Sequence, residues 1–219
     1  MNAVPDPRDV SVLIPAAGMG ERMGMGPKAL MPIAGRPLID WVADKARRVG
    51  VEVLVACAPG MQTPDGTFAV DGGGTRQESV QRLAERASGR WTLLWDAASP
   101  FASLELARRV LAAAGESGAA TPCITAPVRW FTLQGGRVTG AQAGDTAGSS
   151  QTPQGYATAL LREVTARAAR EGWSGQSTIE LMLQAGVSVA AMPGERLNLK
   201  LTTPDDWLLA QALHAQLQS

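Results

Sequence analysis

Residues 11–28 read Ser11-Val12-Leu13-Ile14-Pro15-Ala16-Ala17-Gly18-Met19-Gly20-Glu21-Arg22-Met23-Gly24-Met25-Gly26-Pro27-Lys28. The first five are a short apolar run with β-branched residues, the pattern of a strand buried on both faces. The remainder is built for close approach to an anion. Small residues at 16–18 and glycines at 18, 20, 24 and 26 leave backbone N–H groups accessible, and Arg22 and Lys28 bring charge to where a triphosphate would lie. A strand that opens directly into a phosphate-cradling loop sets the first unit of the fold. The loop is neither the GxGxxG of a dinucleotide fold nor the GxxxxGK[ST] of a P-loop, because Lys28 follows Pro27 and no Ser or Thr comes after it.

Outward from this unit, the runs at 51–57, 68–70, 91–95, 119–126 and 187–192 also read as strands. Helical composition or periodicity occupies 37–49, 76–88, 103–115, 156–171, 178–185 and 204–217. The last of these opens Thr203-Pro204-Asp205-Asp206, which is an N-cap, a proline at the first helical position and acids in the first turn. The alternation predicts one α/β domain over residues 1–219, a mainly parallel sheet covered by helices on both faces. Ligands of such sheets bind at the carboxyl ends of the strands, near a topological switch point. One segment breaks the alternation. From Trp130 to Ser150, two strand-like runs flank Gly135-Gly136, a two-residue hairpin signal. It predicts a protruding β-arm within residues 127–151. An isolated ribbon is marginal in water, and Trp130 and Phe131 at its base need cover, so a second subunit is the expected partner.

Hydrophobic residues make up 45% of the chain and charged residues 18%, enough apolar material for a core and too little charge for disorder. Twenty basic and twenty acidic residues cancel, which removes the broad footprint that nucleic acid requires, so any polyanion bound is expected to be small. No apolar run approaches a membrane span, and the first ten residues lack the basic and apolar regions of a signal peptide. A cytoplasmic protein is expected, without membrane or nucleic-acid partners. Cys57 and Cys123 each sit in a strand-like apolar run without metal or redox spacing, and buried, reduced thiols are expected. Of the twenty basic residues only Lys28, Lys45 and Lys200 are Lys. A chain that otherwise uses Arg keeps Lys where a compact ammonium is needed.

Further motifs follow in order: Gly72-Gly73-Gly74-Thr75-Arg76-Gln77-Glu78-Ser79-Val80, Asp96-Ala97-Ala98, Gln151-Thr152-Pro153-Gln154 and Asn198-Leu199-Lys200-Leu201-Thr202-Thr203-Pro204-Asp205-Asp206. With the loop after the first strand, this order resembles the sugar nucleotidyltransferases, and among them the 2-C-methyl-D-erythritol 4-phosphate cytidylyltransferases, over nearly the whole chain. The resemblance implies a Rossmann-like fold, a homodimer that exchanges its β-arms, and transfer of CMP from CTP to methylerythritol phosphate with release of pyrophosphate in non-mevalonate isoprenoid synthesis. It also implies Mg2+ or another divalent cation with the CTP.

The chemistry gives these residues matching roles. In-line attack on the α-phosphorus needs both anions brought together and the transferring group neutralised, work for Arg22, Lys28 and Lys200. The nucleotide side is expected to comprise Pro15, Ala16, Ala17, Gly18, Gly20, Gly73, Gly74, Arg76, Ser79 and Ala97. The amides of the glycine segment, with Ala16 and Ala17, can bond a base edge, with Ser79 one turn inside to contact it; the resemblance makes this the cytosine pocket. Thr75 also suits a plain helix N-cap, and both roles can hold together. Asp96, at the end of a strand, suits Mg2+ or a sugar hydroxyl, with capping of the next helix as its alternative. Thr152 offers a hydroxyl to the acceptor phosphate. The lone His214, far from every motif, reads as a surface residue.

Four departures from the family pattern lie toward the acceptor. Ser99 stands where HDAARPF has its Arg, Phe131 where PVRDT has Thr, Gly144-Asp145 where the arm normally carries an Arg, and Gln176-Ser177-Thr178 where an acidic TDE-like triplet is usual. Arg129 and Arg137 can compensate for the missing charge. Three functions stay open at this point: the methylerythritol phosphate enzyme, a same-fold enzyme using another polyol phosphate such as ribitol 5-phosphate, and a catalytically weak nucleotide-binding homologue.

Overall fold

Alternation along the first strand decides which helix goes where. In β1 (Val10–Pro15), Val10, Val12 and Ile14 face one side of the sheet and Leu13 the other. Val10, Val12 and Ile14 pack with Ile39 and Val42 of α1 (Leu38–Ala46) and with Leu106 and Val110 of α3 (Leu104–Ser117). Leu13 packs with Val80 and Leu83 of α2 (Arg76–Arg86) and with Leu161 and Val164 of α4 (Thr158–Glu171). A strand with apolar side chains on both faces must be covered twice, and here it is. The computed structural model describes residues 5–18, 27–125, 129–144 and 146–218.

The main sheet is mostly parallel. β1 pairs in parallel with β4 (Glu52–Cys57) on one side and β6 (Trp91–Leu94) on the other, and β5 (Phe68–Asp71) lies beyond β4. Past β6 comes β11 (Gln154–Ala157), antiparallel to both its neighbours, and then β7 (Ala119–Thr125). β10 (Gly148–Ser150) pairs antiparallel with β7 ahead of β11, and β12 (Ala190–Pro193) pairs parallel with it. The chain therefore leaves β1 toward β4 on one side and returns to β6 on the other, so the switch point lies between β1 and β6. A third apolar cluster seats α6 (Pro204–Gln218). There Leu201 and Trp207 meet Met31, Ile33 and Leu38 beside the small hairpin of β2 (Pro32–Ile33) and β3 (Arg36–Pro37). α5 (Thr178–Gln184) packs on α4.

The expected arm is present with different bounds. β8 (Trp130–Gln134) and β9 (Arg137–Gln142) pair across Gly135 and Gly136, whose φ values of 55° and 74° require glycine in a two-residue turn. All residues of both strands are exposed. The arm spans 130–142 rather than 127–151, because Gly148–Ser150 returns to the main sheet. Residues 127, 128 and 145 lie outside the described residues.

The helix expected from 156 begins at Thr158, and residues 154–157 are β11 instead. Pairing with β6 and β7 makes the strand, and Gly155 leaves room for α3 on it, since a Cβ there would come within 2.9 Å of Ala114 Cβ and 3.0 Å of Val110 Cγ1. α3 thus lies directly on this strand. His214 is half-buried rather than on the open surface, with its ring edge-on to Trp41 at 5.1 Å. Of the two thiols, Cys57 is buried as expected and Cys123 only half-buried; both are free. Among the described residues no helix is long and apolar enough to cross a membrane.

Candidate active site

A cleft of about 630 Å³ opens at the carboxyl ends of β1, β4, β5 and β6, at the switch point. Its wall includes Pro15, Ala16, Ala17, Gly18, Gly73, Gly74, Arg76, Ser79 and Ala97, so every described residue expected on the nucleotide side reaches one cleft. Lys28, Asp96 and Lys200 line it as well. Gly20 and Arg22 lie outside the described residues.

The glycine segment is braced from within. Gly72 N donates to Cys57 O at 2.9 Å, Gly73 N to Ser79 Oγ at 3.0 Å and Gly74 N to Glu78 Oε2 at 2.8 Å. Ala16 N donates to Ala56 O at 2.9 Å, extending the β1–β4 ladder. Of the amides expected at a base edge, those of Ala16, Gly73 and Gly74 are therefore bonded within the protein. Ser79 is likewise committed, since its hydroxyl also donates to Thr75 O at 3.0 Å. Thr75 does cap α2, accepting from Glu78 N at 3.1 Å. The segments that follow β1 and β5 approach as closely as they can: a Cβ on Gly72 would lie 2.3 Å from Ala17 Cβ.

Asp96 is the one carboxylate of the described lining, and two cations hold it. Arg76 Nη2 donates to Oδ1 at 2.7 Å and Lys200 Nζ to Oδ2 at 2.6 Å. Burial alone would raise the Asp96 pKa, but Arg76 and then Lys200 outweigh it and hold the carboxyl well below the usual carboxylate range. Burial opposes the charge of Arg76, and Asp96 more than restores it. Tyr156, buried close by, has its phenol pushed up mainly by burial. The alternative of Asp96 as a helix cap is set aside, because Ser103 caps α3 by accepting from Leu106 N.

Two acceptor-side expectations fall elsewhere. Thr152 is buried beneath the cleft; its hydroxyl accepts from Asp96 N and donates to Ser99 Oγ, both at 3.2 Å. It braces the Asp96 turn, and Ser99 fills the position of the family Arg as its partner. Arg129 is exposed at the base of the arm and is not part of the cleft wall. Thr178, in the place of the family's acidic triplet, takes a bond from Arg76 Nη1 on its Oγ1 at 3.4 Å; sequence reasoning missed Cys57, which lines the cleft with its thiol pushed up by burial. Only the tertiary fold brings either to the site.

Among the described residues no three His, Cys, Asp or Glu side chains gather around a common point. One carboxylate fits an ion that arrives on the phosphates of a nucleotide, the usual manner of Mg2+, and not a resident ion in a protein cage.

Lined by small residues and by Lys28, Arg76 and Lys200, the cleft suits a phosphate-bearing ligand, and the relatives of the chain are nucleotidyltransferases. The family model for 2-C-methyl-D-erythritol 4-phosphate cytidylyltransferase matches residues 10–216. The cytidylyltransferase of that name from Thermus thermophilus is 46% identical over 210 residues, 94% of this chain and 97% of the relative. That from Deinococcus radiodurans is 38% identical over 207 residues, 93% of this chain and 88% of the relative. The crystal structure of the Thermus thermophilus enzyme superposes with a TM-score of 0.84 at 41% identity, covering 94% of this chain and 99% of that one. The chain belongs to the 2-C-methyl-D-erythritol 4-phosphate cytidylyltransferase family.

Proposed function

We propose that the protein transfers the cytidylyl group of CTP to 2-C-methyl-D-erythritol 4-phosphate in the methylerythritol phosphate route to isoprenoid precursors. The observation that carries this is the convergence of Lys28, Arg76 and Lys200, from three distant parts of the chain, on one cleft beside the β1 loop. An oxygen of the acceptor phosphate attacks the α-phosphorus, the new P–O bond forms as the bond to the β-phosphate oxygen breaks, and pyrophosphate departs with the electron pair. Lys28 and Lys200 hold the two anions together and neutralise charge as it develops, with Arg22 of the same loop joining them. Asp96 keeps Arg76 and Lys200 at fixed places before substrate arrives. Mg2+ bound with CTP would add further charge neutralisation, with Asp96 as the protein group to hold it.

The spent amides bear on the base. Gly72 O takes a bond from Arg82 Nη1 at 2.9 Å, so the carbonyl oxygens of Gly73 and Gly74 are the acceptors to offer, and acceptors suit the amino donor of cytosine while opposing the O4 acceptor of uracil. The acceptor sits toward Lys200. The exposed arm reaches a second copy of the chain and makes the working unit a homodimer. Substrates of this charge and size are met in the cytoplasm, where the protein works.

The test is pyrophosphate release from CTP and Mg2+ with a panel of polyol phosphates. Turnover with methylerythritol phosphate is expected. Turnover with ribitol 5-phosphate alone would move the acceptor assignment, and tight CTP binding without release for any acceptor would leave a nucleotide-binding homologue.

A further inference from the structure

Lys200 lies in a segment with no helix or strand, between the end of β12 and the start of α6. Such a segment must be held by side chains if its ammonium is to stay 2.6 Å from Asp96. Gln151, between β10 and β11, makes three bonds to its backbone through one side chain. Its Nε2 donates to Glu195 O at 2.8 Å and Asn198 O at 2.9 Å, and its Oε1 accepts from Glu195 N at 2.9 Å. Both amide hydrogens and the amide oxygen are thus spent on the backbone of the Lys200 segment. Gln151 is itself fixed to β7, its N donating to Pro122 O at 2.8 Å. The segment passes directly over the amide: a Cβ on Gly194 would lie 2.4 Å from Gln151 Oε1. Other bonds add to the frame, among them Asn198 Nδ2 to Thr152 O at 2.8 Å, Leu201 N to Ala98 O at 2.9 Å, Gly194 N to Cys123 O at 2.8 Å and Ser103 N to Glu195 Oε2 at 3.0 Å.

We propose that Gln151 is a positioning residue for the Lys200 ammonium. This rests on the role given to Lys200 above. Gln151 touches no substrate. It sets the path of the backbone from which Lys200 reaches the phosphates, and a displacement of about 1 Å at such a group is enough to cost roughly a hundredfold in rate.

The test is a double-mutant cycle on kcat, with CTP binding measured separately. Gln151→Met keeps length and volume but removes all three bonds. It is expected to lower kcat by about tenfold or more while the KM for CTP stays within about twofold, because the β1 loop lies elsewhere. In a Lys200→Ala background the same substitution should change kcat little, because the group it positions is gone. Equal losses in both backgrounds would overturn the proposal, as would full turnover of Gln151→Met. Full turnover of Lys200→Ala would overturn the role of Lys200, and this proposal with it, whereas an impaired Lys200→Ala beside an unimpaired Gln151→Met overturns this proposal alone. Should Gln151→Met not unfold cooperatively, Gly194→Ala displaces the amide with Gln151 intact. It should show the same split between kcat and KM and the same dependence on Lys200; wild-type kcat in that variant would overturn the proposal.

Discussion

Asp96 binds Lys200 through one carboxylate oxygen at 2.6 Å and Arg76 through the other at 2.7 Å, so a single buried anion fixes two cations that come from opposite sides of the chain. Asp96→Asn would keep the shape and remove the charge. Turnover should fall by about a hundredfold or more, since the cations that meet developing phosphate charge lose their anchor. The variant should also lose about 1–3 kcal/mol of stability at neutral pH. A carboxyl held below its ordinary 3.8 stabilises the fold at every pH above that value, and the stabilisation drains away as pH falls below it. The difference in melting temperature between wild type and Asp96→Asn should therefore be largest at pH 7 and shrink below pH of about 4. A difference that does not change with pH would dissociate Asp96 from the acid limb.

Lys200→Arg should be impaired almost as severely as Lys200→Ala. The pocket around Asp96 Oδ2 accepts a compact ammonium, while the planar fork of Arg76 already occupies Oδ1. Lys28→Ala should lower turnover by about a hundredfold without loss of fold, because Lys28 lines the cleft from a short helical turn outside the sheet. Steady-state kinetics with CTP checks both, and an unimpaired arginine variant would mean that charge alone matters at position 200.

Gly72→Ala is expected to abolish CTP binding while the chain still folds. The added methyl would lie 2.3 Å from Ala17 Cβ and 2.8 Å from Cys57 O, so the β1 loop and the glycine segment must part. Calorimetric titration with CTP measures the effect. Gly140→Ala is the control, since a Cβ there meets nothing closer than Thr132 Oγ1 at 3.4 Å and the arm is not part of the cleft wall, and it should bind nearly as the wild type.

The third lysine has a structural task. Lys45 Nζ donates to Pro100 O at 2.7 Å and Ala102 O at 3.0 Å, tying α1 to the turn that follows Asp96. Burial pushes its ammonium pKa down from the ordinary value. Lys45→Ala leaves two carbonyls without their donor and should cost about 1–3 kcal/mol in denaturant unfolding, with a smaller effect on CTP binding than Lys28→Ala. A neutral effect on stability would refute the tether.

Much of this was legible in the sequence where local chemistry decides local structure. The alternation in Val10–Pro15, the caps at Thr75 and Thr203 and the Gly135-Gly136 turn each state their own geometry, and each is found. β11 was not legible, because Gln154-Gly155-Tyr156-Ala157 is too short for periodicity and its strand character depends on pairing with β6 and β7, distant in the chain. Nor was the hairpin at 32–37, whose turn puts Ala34 at a positive φ of 50° that no sequence pattern announces. In the site, residue types and their convergence could be read, but their partners could not. That Thr152 bonds Ser99, or that the amide of Gly73 bonds Ser79, depends on which loops the fold brings together.

The arm carries the last prediction. Trp130, Phe131, Leu133 and Val138 are 46%, 56%, 71% and 63% exposed on a two-stranded ribbon that makes no pairing with the main sheet. A lone ribbon with this much apolar surface is marginal in water, and a second copy of the chain, bound about a two-fold axis, would cover it. Trp130 and Gln142 are cross-strand neighbours, so removing 131–141 and joining them through Gly-Gly shortens the ribbon without straining its base. β10 should be untouched, because Gly148–Ser150 pairs with β7 in the main sheet. The shortened protein should sediment as a monomer where the full chain sediments as a dimer. CTP binding should persist, because no arm residue lines the cleft. Acceptor affinity should fall only modestly, since the arm lacks the Arg expected near Gly144. A shortened chain that remains a dimer, or a full chain that is monomeric at micromolar concentration, would refute the clasp.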